Sequence, residues 1–497
     1  MRIPRPLIAA GYGILAVVAG LAAAELIAAI LRPEASPLIA VGGTVIDATP
    51  TAVKEFAVRT FGTADKPILL WTIRSVLLAG AAVIGIVTAR RRRLGLVLAT
   101  LLGLTGAAAA LTRPAARTAD VVPSLVGVAV SVALLAYLTA GRRGHAVNSG
   151  RRQLMTTTAL LAGTALAGGG AAVLRQRRTG DAAAARQSVR LPAPADPAKP
   201  LPAGVGTGFR TANKDFYRVD TALTVPRIGV DGWRLRIRGM VDKSVTLSFE
   251  DLINRPLTER DITLNCVSNE VGGPYIGTAR WLGAPLSALL REAGIQAGAD
   301  QLVARSTDGM TIGTPIDLAM DGRDTLLAVG MNGEPLPLEH GFPMRMLTPG
   351  LYGYVGACKW VTELTVTRFD EVDAYWVERG WAATAPVKTA SRIDRPSPFA
   401  TLDPGPVTVA GVAWAQHRGI AAVEVQVDNG PWNEAELLPG PSLDTWVQWR
   451  HTWPATTGGH TLRVRATDAT GDTQTADRAT PFPDGATGWH TVAVTIR

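Results

Sequence analysis

The sequence predicts a chain of three parts: an α-helical transmembrane bundle, then an α+β domain, then a β-sandwich. Mean hydropathy is +0.17 over 497 residues, which is too apolar and too long for one water-soluble domain. Long apolar runs are confined to residues 1–174. Beyond them the apolar pattern first mixes helix and strand periods and then follows the strand period alone.

The charge distribution supports this division. Residues 1–180 contain 20 Lys and Arg against 6 Asp and Glu, whereas the rest contain 30 against 35. The basic excess therefore accompanies the hydrophobic third, where it predicts membrane topology rather than a nucleic-acid partner. Two cysteines are too few for a disulfide-dense scaffold, a Cys-rich zinc module or a Cys-ligated iron–sulfur cluster.

Five apolar runs in residues 1–174 are long enough to cross a hydrocarbon core of about 30 Å. Their orientation follows from the arginine clusters, because cytoplasmic loops carry the positive charge. This predicts a multi-pass protein of the cytoplasmic membrane, with its N-terminus inside and everything after the fifth run outside. The runs are Leu7–Leu31, Ile68–Ala89, Leu94–Thr112, Asp120–Ala140 and Leu154–Leu174, and the clusters are Arg2/Arg5, Arg90–Arg93 and Arg142/Arg143 with Arg151/Arg152.

Two charged residues, Glu25 and Arg74, fall inside predicted spans. An intramembrane charge is a functional hypothesis by default. Both residues also lie near a span end, so their side chains can reach the membrane surface instead. No predicted span contains a histidine, so we expect no bis-histidine haem in the bundle.

The fifth run is preceded by Arg151 and Arg152, and this resembles a twin-arginine export signal, which serves proteins that fold before export. Paired arginines are also what the topology rule alone would place there. Residues 175–205, which follow, are rich in Ala and Pro and show no period, so they predict a semi-extended linker.

Residues 206–392 predict an α+β domain with much irregular backbone. The alternating segment 233–239 is typical of a half-buried strand. Further strands are predicted at Leu302–Ser306, Leu326–Val329 and Glu363–Arg368, and short helices at Ser248–Asn254 and Pro285–Ala293.

Residues 393–497 contain only strand and turn patterns, and turn signals recur about every ten residues. This spacing predicts a sandwich of immunoglobulin-like size. Asp428-Asn429-Gly430 is a hairpin signal. The predicted strands are Val407–Trp414, Val423–Val427, Thr445–Thr452, Thr461–Ala466 and His490–Ile496.

Two segments of the middle domain are candidates for chemistry. Cys266 follows an alternating segment and opens a polar loop that ends in glycine; reactive groups are placed on such loops, although a lone cysteine also serves as a small core residue. A second segment carries His340, Arg345 and Lys359 among glycines. Its donors suit a phosphorylated cofactor, and a solvated surface loop has the same composition.

Five segments resemble, in order, motifs of the sulfite oxidase family of molybdopterin-dependent oxidoreductases. They are TLNCVSNE, ARWLGAPLSALL, LPLEHGFPMRMLTPGLYGYVGACKWVTEL, SRID and GVAWAQHRGIAAVEVQVDNGPW. The resemblance covers about residues 209–497 and leaves the N-terminal bundle outside. It implies a sulfite oxidase-type molybdopterin domain, then an immunoglobulin-like molybdenum-cofactor dimerisation domain, and therefore a homodimer.

The resemblance also implies how the cofactor is held. Cys266 matches the thiolate ligand of molybdenum, a soft donor that complements the dithiolene sulfurs of molybdopterin. His340 and Arg345 match a His-x4-Arg pair that binds the pterin and its phosphate. Lys359 and the backbone near Gly356 match another part of that pocket.

Three further residues are implied to face the cofactor or the substrate. Tyr217 and Arg218 match the first cofactor-facing segment, and Arg218 with Tyr375 would orient the substrate oxo group by hydrogen bonds. The other thiol, Cys358, is expected to be packed and free, because a disulfide with Cys266 would remove the metal ligand.

One departure from the family bears on the substrate. Sulfite oxidases continue the cysteine motif with arginines that help to form an anion pocket, whereas this chain has Asn269-Glu270-Val271. A carboxylate repels an anionic substrate. Sulfite is therefore a doubtful substrate, and a neutral sulfoxide, N-oxide or similar oxo donor is as plausible.

The sequence therefore predicts a membrane-anchored molybdopterin oxidoreductase that transfers an oxygen atom on a small or protein-borne substrate. The chain has no Cys-x-x-Cys-His motif, so we expect no haem or iron–sulfur cluster in it and a separate quinone or cytochrome as electron partner. A sulfite-oxidising dehydrogenase is one alternative. A non-catalytic sensory or adhesion protein with an inactive molybdopterin-like domain is the alternative of another class.

Overall fold

The structure is a computed structural model that describes residues 5–140 and 149–497. Arg2, Arg142 and Arg143 lie outside the described residues, as do the side chains of Arg151 and Arg152. The chain divides into two compact units. The first runs to Asp181 and includes Ala222–Val225; the second contains Ala182–Thr221 and Pro226–Arg497.

Long helices dominate the first unit. Among the described residues, five helices are long and apolar enough to cross a membrane, and each of them overlaps one predicted span. The helices are α1 (Arg5–Leu31), α2 (Pro37–Ala48), α3 (Thr51–Phe61), α4 (Asp65–Arg90), α5 (Arg92–Leu111), α6 (Val122–Ala140) and α7 (Ser149–Ser188). The sequence did not predict α2 and α3, because both are shorter than a membrane span.

Small residues let α1 approach its neighbours closely. A Cβ atom on Gly13 of α1 would lie 2.7 Å from the Gly85 backbone nitrogen of α4, and one on Gly85 would lie 2.8 Å from the Gly13 nitrogen. A Cβ on Gly127 of α6 would lie 3.0 Å from the Gly20 carbonyl oxygen. The helix backbones therefore touch, as small residues allow in apolar bundles.

Glu25, one of the two charges predicted inside spans, is 9% exposed. It forms an ion pair with Arg175 of α7 and accepts a hydrogen bond of 2.6 Å from Ser36. Its charge is therefore satisfied by partners within the first unit. The guanidinium of Arg74 instead lies 5.2 Å from the centre of the Trp71 ring.

The predicted linker over residues 175–205 is wrong in its first part. Helix α7 continues to Ser188, which agrees with the high helix propensity of the alanines at 182–185. The remainder is extended but not free, because the Ala195 nitrogen donates to the Leu257 carbonyl at 2.8 Å and Asp196 forms a β-bridge with Thr258.

The first part of the second unit is an α+β fold with two sheets, of which one is mixed and the other antiparallel. One sheet has the order β2-β1-β10-β5-β6, and the other has the order β3-β4-β7-β8 with β9 paired to β7. The elements are β1 (Arg234–Gly239), β2 (Val245–Ser248), α8 (Phe249–Ile253), β3 (Thr258–Asn265), β4 (Ile276–Pro285), α9 (Leu286–Ala293), β5 (Gln301–Ser306), β6 (Thr311–Pro315), α10 (Ile316–Met320), β7 (Leu326–Met331), β8 (Glu334–Pro335), β9 (Arg345–Leu347), α11 (Gly353–Gly356) and β10 (Val361–Thr367).

These strands place the candidate residues at their ends. Cys266 directly follows β3, Arg345 opens β9, and Lys359 shortly precedes β10. An apolar cluster on the β3-β4-β7 sheet includes Trp281 and Phe342, both fully buried. The polar ends of the strands are therefore held by a rigid apolar layer.

The last part of the second unit consists of two sheets, with orders β11-β13-β17-β16 and β12-β19-β18-β14-β15. Their inner faces share one core, in which Val423, Trp449 and Val464 are buried. The predicted hairpin is confirmed, because Asp428 has φ 51° between paired β14 and β15. The strands are β11 (Ala390–Arg395), β12 (Thr401–Leu402), β13 (Gly405–Trp414), β14 (Ile420–Val427), β15 (Trp432–Glu434), β16 (Glu436–Leu437), β17 (Val447–Ala455), β18 (Gly458–Asp468) and β19 (His490–Ile496).

Candidate functional site

Cys266 begins a tight loop at the carboxyl end of β3. Its backbone nitrogen donates to Tyr275 at 2.9 Å, and its carbonyl accepts from Asn269 at 3.0 Å. The Asn269 side chain closes the loop by accepting from the Tyr275 nitrogen at 2.8 Å. Burial raises the pKa of the Cys266 thiol, and hydrogen bonds from Ser268 oppose this by stabilising the thiolate. The sulfur is therefore held in a fixed place with donors beside it.

The Tyr217 ring lies 6.4 Å from the centre of the Tyr275 ring, and the Tyr275 carbonyl is the one that accepts from the Cys266 nitrogen. Burial raises the pKa of the Tyr217 hydroxyl strongly, the nearby Cys266 adds to this rise, and Arg345 opposes it. The hydroxyl therefore stays protonated at neutral pH and can donate a hydrogen bond. Its ring stacks on Phe216 at 5.2 Å between centres, which fixes the side chain.

Arg345 is a cation in an apolar setting. Its side chain is 6% exposed, and the guanidinium lies 5.0 Å from the centre of the Trp281 ring. Nη1 donates to the His340 carbonyl at 3.3 Å, whereas Nε has no hydrogen-bond partner among the described residues. Burial lowers the pKa of Arg345 to about 10, so it remains charged. A buried cation with a spare donor suits an anionic ligand.

His340 is neutral at pH 7. Its pKa is lowered to about 4, first by burial and then by the charge of Arg345. Nε2 lies 2.9 Å from the Asn213 carbonyl oxygen, and because a carbonyl only accepts, Nε2 carries the proton. Nδ1 is therefore left as an acceptor.

Lys359 joins this group through a carboxylate that the sequence did not predict. Its Nζ lies 2.8 Å from Oδ2 of Asp220, and the Nε of Arg218 lies 3.0 Å from the same oxygen. Burial lowers the pKa of Lys359 to about 8, and Asp220 opposes that fall. The side chain of Asp220 is 3% exposed. One buried carboxylate therefore orients two predicted cofactor-binding cations.

Gly356, a predicted cofactor-binding residue, lies where a larger side chain would not fit. A Cβ atom at this position would lie 2.8 Å from the Leu351 Cβ and 3.1 Å from the Thr348 carbonyl oxygen. Its own carbonyl accepts from the Thr348 nitrogen at 2.7 Å. The hydroxyl of Thr348 is buried and has no partner among the described residues.

Tyr375 is buried, but its described contacts are with other residues than Cys266. Its nitrogen donates to the Thr311 hydroxyl at 3.1 Å, its carbonyl accepts from Arg379 at 2.6 Å, and that guanidinium lies 3.5 Å from the ring centre. A role for Tyr375 in orienting substrate therefore stays a prediction.

Cys358 and Cys266 are both buried free thiols in this structure. The Cys358 sulfur lies 3.9 Å from the Ala304 carbonyl in the apolar core. Burial raises the pKa of this thiol. It is therefore an inert packed thiol.

A cleft of about 460 Å³ adjoins the loop that Cys266 opens. Asn265 and Trp414 are among its lining residues. Oδ1 of Asn265 and Nε1 of Trp414 are buried and have no hydrogen-bond partner among the described residues. The two cations of the cleft are already paired: Arg418 with Asp468 at 2.9 Å and Lys388 with Asp484 at 2.8 Å. Sequence reasoning missed this cleft, because most of its lining comes from the last part of the chain.

Comparison with known proteins agrees with this geometry. The model of the oxidoreductase molybdopterin binding domain matches residues 222–376. Mitochondrial sulfite oxidase of Mus musculus is 32% identical over 285 residues, covering 48% of this chain and 51% of that protein. A nitrate reductase of Arabidopsis thaliana is 32% identical over 206 residues, covering 36% of this chain and 22% of that protein.

Among solved structures, the sulfane dehydrogenase SoxCD of Paracoccus pantotrophus is similar in fold. The TM-score is 0.52 at 25% identity, and the match covers 59% of this chain and 82% of that one. The chain spans about half the length of the curated sulfite oxidase that it matches (51%). Residues 222–376 thus match the molybdopterin-binding domain, and the chain is similar to sulfite oxidases in sequence and to SoxCD in fold.

Proposed function

We propose that the chain is a membrane-anchored molybdopterin-dependent oxidoreductase that catalyses two-electron oxygen-atom transfer on a small or protein-borne substrate. The observation that carries the proposal is that the charges of two buried residues, Cys266 and Arg345, both act on the hydroxyl of Tyr217, whose neighbour Phe216 packs against His340. Arg345 keeps a donor without a partner among the described residues. An apolar core has no need of a buried cation with an unsatisfied donor.

The residues present fit the cofactor. Among the described residues no three His, Cys, Asp or Glu side chains gather as metal ligands, so the Cys266 thiolate would be one ligand and molybdopterin would supply others. Arg345 and Lys359 would neutralise the phosphate, with His340 and the Gly356 backbone beside the pterin. When bound, the molybdenum centre supplies the two-electron oxygen-transfer chemistry.

The chain itself would position the substrate and exclude water. Arg218, held by Asp220, would donate to the substrate oxygen together with Tyr375. Tyr217 remains protonated beside Cys266 and can hold a hydrogen bond without exchanging its proton. The buried setting strengthens each of these interactions.

A neutral oxo compound, such as a sulfoxide or an N-oxide, is the substrate class we favour. The cleft is lined by three carboxylates, of Glu270, Asp468 and Asp472, and by two cations. Because both cations are paired, the lining offers an anion no free positive charge. Sulfite oxidation is the second candidate, and the name of the mouse relative favours it.

The remaining features concern location and partners. Five apolar helices support anchoring in the cytoplasmic membrane, with the N-terminus inside and the catalytic unit outside. A twin-arginine route through Arg151 and Arg152 would suit a unit that must enclose its cofactor before export. The two-sheet C-terminal part would be an immunoglobulin-like dimerisation domain, and a quinone or cytochrome would exchange electrons with the site.

Metal analysis combined with one substitution tests the proposal. We expect about one molybdenum per purified chain, and we expect Cys266→Ala to abolish turnover with sulfoxides while the protein stays folded. Cys358→Ala is the matched control, since that thiol lies in the apolar core, and it should keep turnover. Wild-type rates from Cys266→Ala would refute the ligand assignment. A chain without molybdenum or pterin would favour a non-catalytic sensory or adhesion protein.

A further inference from the structure

Arg186, in the last turn of α7, is bound to the strand that leads into the His340 loop. Its Nη2 donates to the Pro335 carbonyl at 2.7 Å, and its Nε donates to the Leu336 carbonyl at 2.9 Å. Nη2 also lies 2.8 Å from the Glu334 carboxylate. One guanidinium therefore holds two carbonyls and a carboxylate of three consecutive residues, and no predicted role accounts for it.

Asn213 is held by the same hairpin. Its Nδ2 donates to Glu334 Oε1 at 2.5 Å, and its Oδ1 accepts from Asn332 Nδ2 at 2.8 Å. Asn332 and Gly333 form the turn between β7 and β8, with φ values of 51° and 83°. The turn conformation fixes Asn332, and Arg186 fixes Glu334. Asn332 and Glu334, which bind the Asn213 side chain, are therefore themselves held in place by other parts of the chain.

The backbone of Asn213 completes the connection. Its carbonyl accepts the hydrogen bond from Nε2 of His340 at 2.9 Å. A partner on one ring nitrogen sets the tautomer and the orientation of an imidazole, and so decides where the other nitrogen points. The direction of His340 Nδ1 thus depends on a carbonyl whose residue is held by Glu334.

We propose that Arg186 is a positioning residue of the cofactor site, which acts through Glu334 and Asn213 to fix the orientation of the His340 imidazole. The inference rests on the proposed function, in which His340 contacts the pterin. On this inference, residues Ala182–Ser188 at the end of α7 help to position the cofactor site and do not serve only as a linker. Loss of Arg186 should therefore speed release of the cofactor, although Arg186 does not touch it.

The experiment measures the rate at which molybdopterin leaves the full-length loaded chain, by fluorescence of the oxidised pterin in the filtrate. Arg186→Ala should release it about tenfold faster, since hydrogen bonds of a charged group are lost. Arg190→Ala is the matched control, because Arg190 is exposed and its described bond is to Gln187 at 2.9 Å. It should release the pterin at the wild-type rate. Equal rates for Arg186→Ala and wild type would overturn the inference.

Two further variants separate positioning from general loosening. Arg186→Lys keeps a donor and should recover most of the retention, whereas Asn213→Ala should match Arg186→Ala. If both residues act on His340 through one connection, the double variant should release no faster than the faster single variant. If the two substitutions multiplied each other's effect on the release rate, the connection from Arg186 through Asn213 to His340 would be overturned. A wild type that never takes up molybdopterin would overturn the proposed function as well, whereas a loaded wild type with unchanged variants would overturn this inference alone.

Discussion

Among single residues, burial combined with an unmet hydrogen bond marks the site most clearly. Arg345 is 6% exposed and keeps Nε without a partner among the described residues. An unsatisfied buried donor costs about 1–3 kcal/mol, and more when it is charged. The unpaired donor of Arg345 therefore lowers the stability of the folded chain, and a bound anion would remove that unfavourable free energy.

His340 should make the stability of the protein depend on pH. Its folded pKa of about 4 lies below the ordinary value of about 6.5. Between these values the unfolded chain binds a proton that the folded chain does not, so the stabilisation is complete above pH 6.5 and is lost toward pH 4. The loss should reach about 3 kcal/mol. Urea unfolding at several pH values should show that the free energy of unfolding depends less on pH in His340→Gln than in the wild type. Parallel plots of unfolding free energy against pH for the two proteins would contradict the assignment.

The residues of the site were predictable only where they carry a motif. Cys266, His340, Arg345 and Lys359 stand in recognisable segments, and the structure brings Tyr217 into the same group. Asp220 was not predictable, because its ion-pair partner Lys359 is 139 positions away. Only the folded chain shows which carboxylate faces which cation.

Among the elements, those with a strong period were predicted best. The strand over His490–Ile496 has the predicted bounds, and β10 and β13 differ from prediction by a few residues. Two-residue strands such as β8 carry too few residues for a period, and α2 was missed because it is shorter than a membrane span. The predicted linker was wrong because helix propensity continued beyond the apolar run that suggested the fifth span.

The crossing of α1 and α4 gives a prediction at this scale. Gly85→Ala should force the two helices apart, because the new Cβ would lie 2.8 Å from the Gly13 nitrogen; overpacking of this kind costs about 1–3 kcal/mol. Gly80→Ala in the same helix is the control, since nothing lies within 4 Å of a Cβ there. Thermal unfolding in detergent should show a lower midpoint for Gly85→Ala alone. Equal midpoints for the two variants would count against the close contact.

In the molecule as a whole, the second unit joins its two parts through a shared core. Phe209 and Val267 from the first part pack in one cluster with Trp414 and Trp446 from the last. The Trp446 indole donates to the Phe209 carbonyl at 3.0 Å, and its backbone nitrogen donates to the Thr263 hydroxyl at 2.8 Å. The cofactor-binding part and the two-sheet part therefore stabilise one another.

Calorimetry should find one unfolding transition for the second unit. Trp446→Ala should lower that whole transition, at a cost of about 3–5 kcal/mol for the lost side chain and the cavity. Phe399→Ala is the control, since Phe399 is 84% exposed and should leave the midpoint unchanged. Two separated transitions in Trp446→Ala, with only one of them displaced, would show instead that the parts unfold independently.

The unmatched donor of Arg345 has a consequence for the life of the protein in a cell. A chain that has not received its prosthetic group keeps a desolvated positive charge and opens more readily than a filled one. Housekeeping proteases attack molecules in proportion to how often they open. Chains without the cofactor would therefore be degraded without a specific quality-control factor. The remaining population would be enriched in cofactor-loaded enzyme.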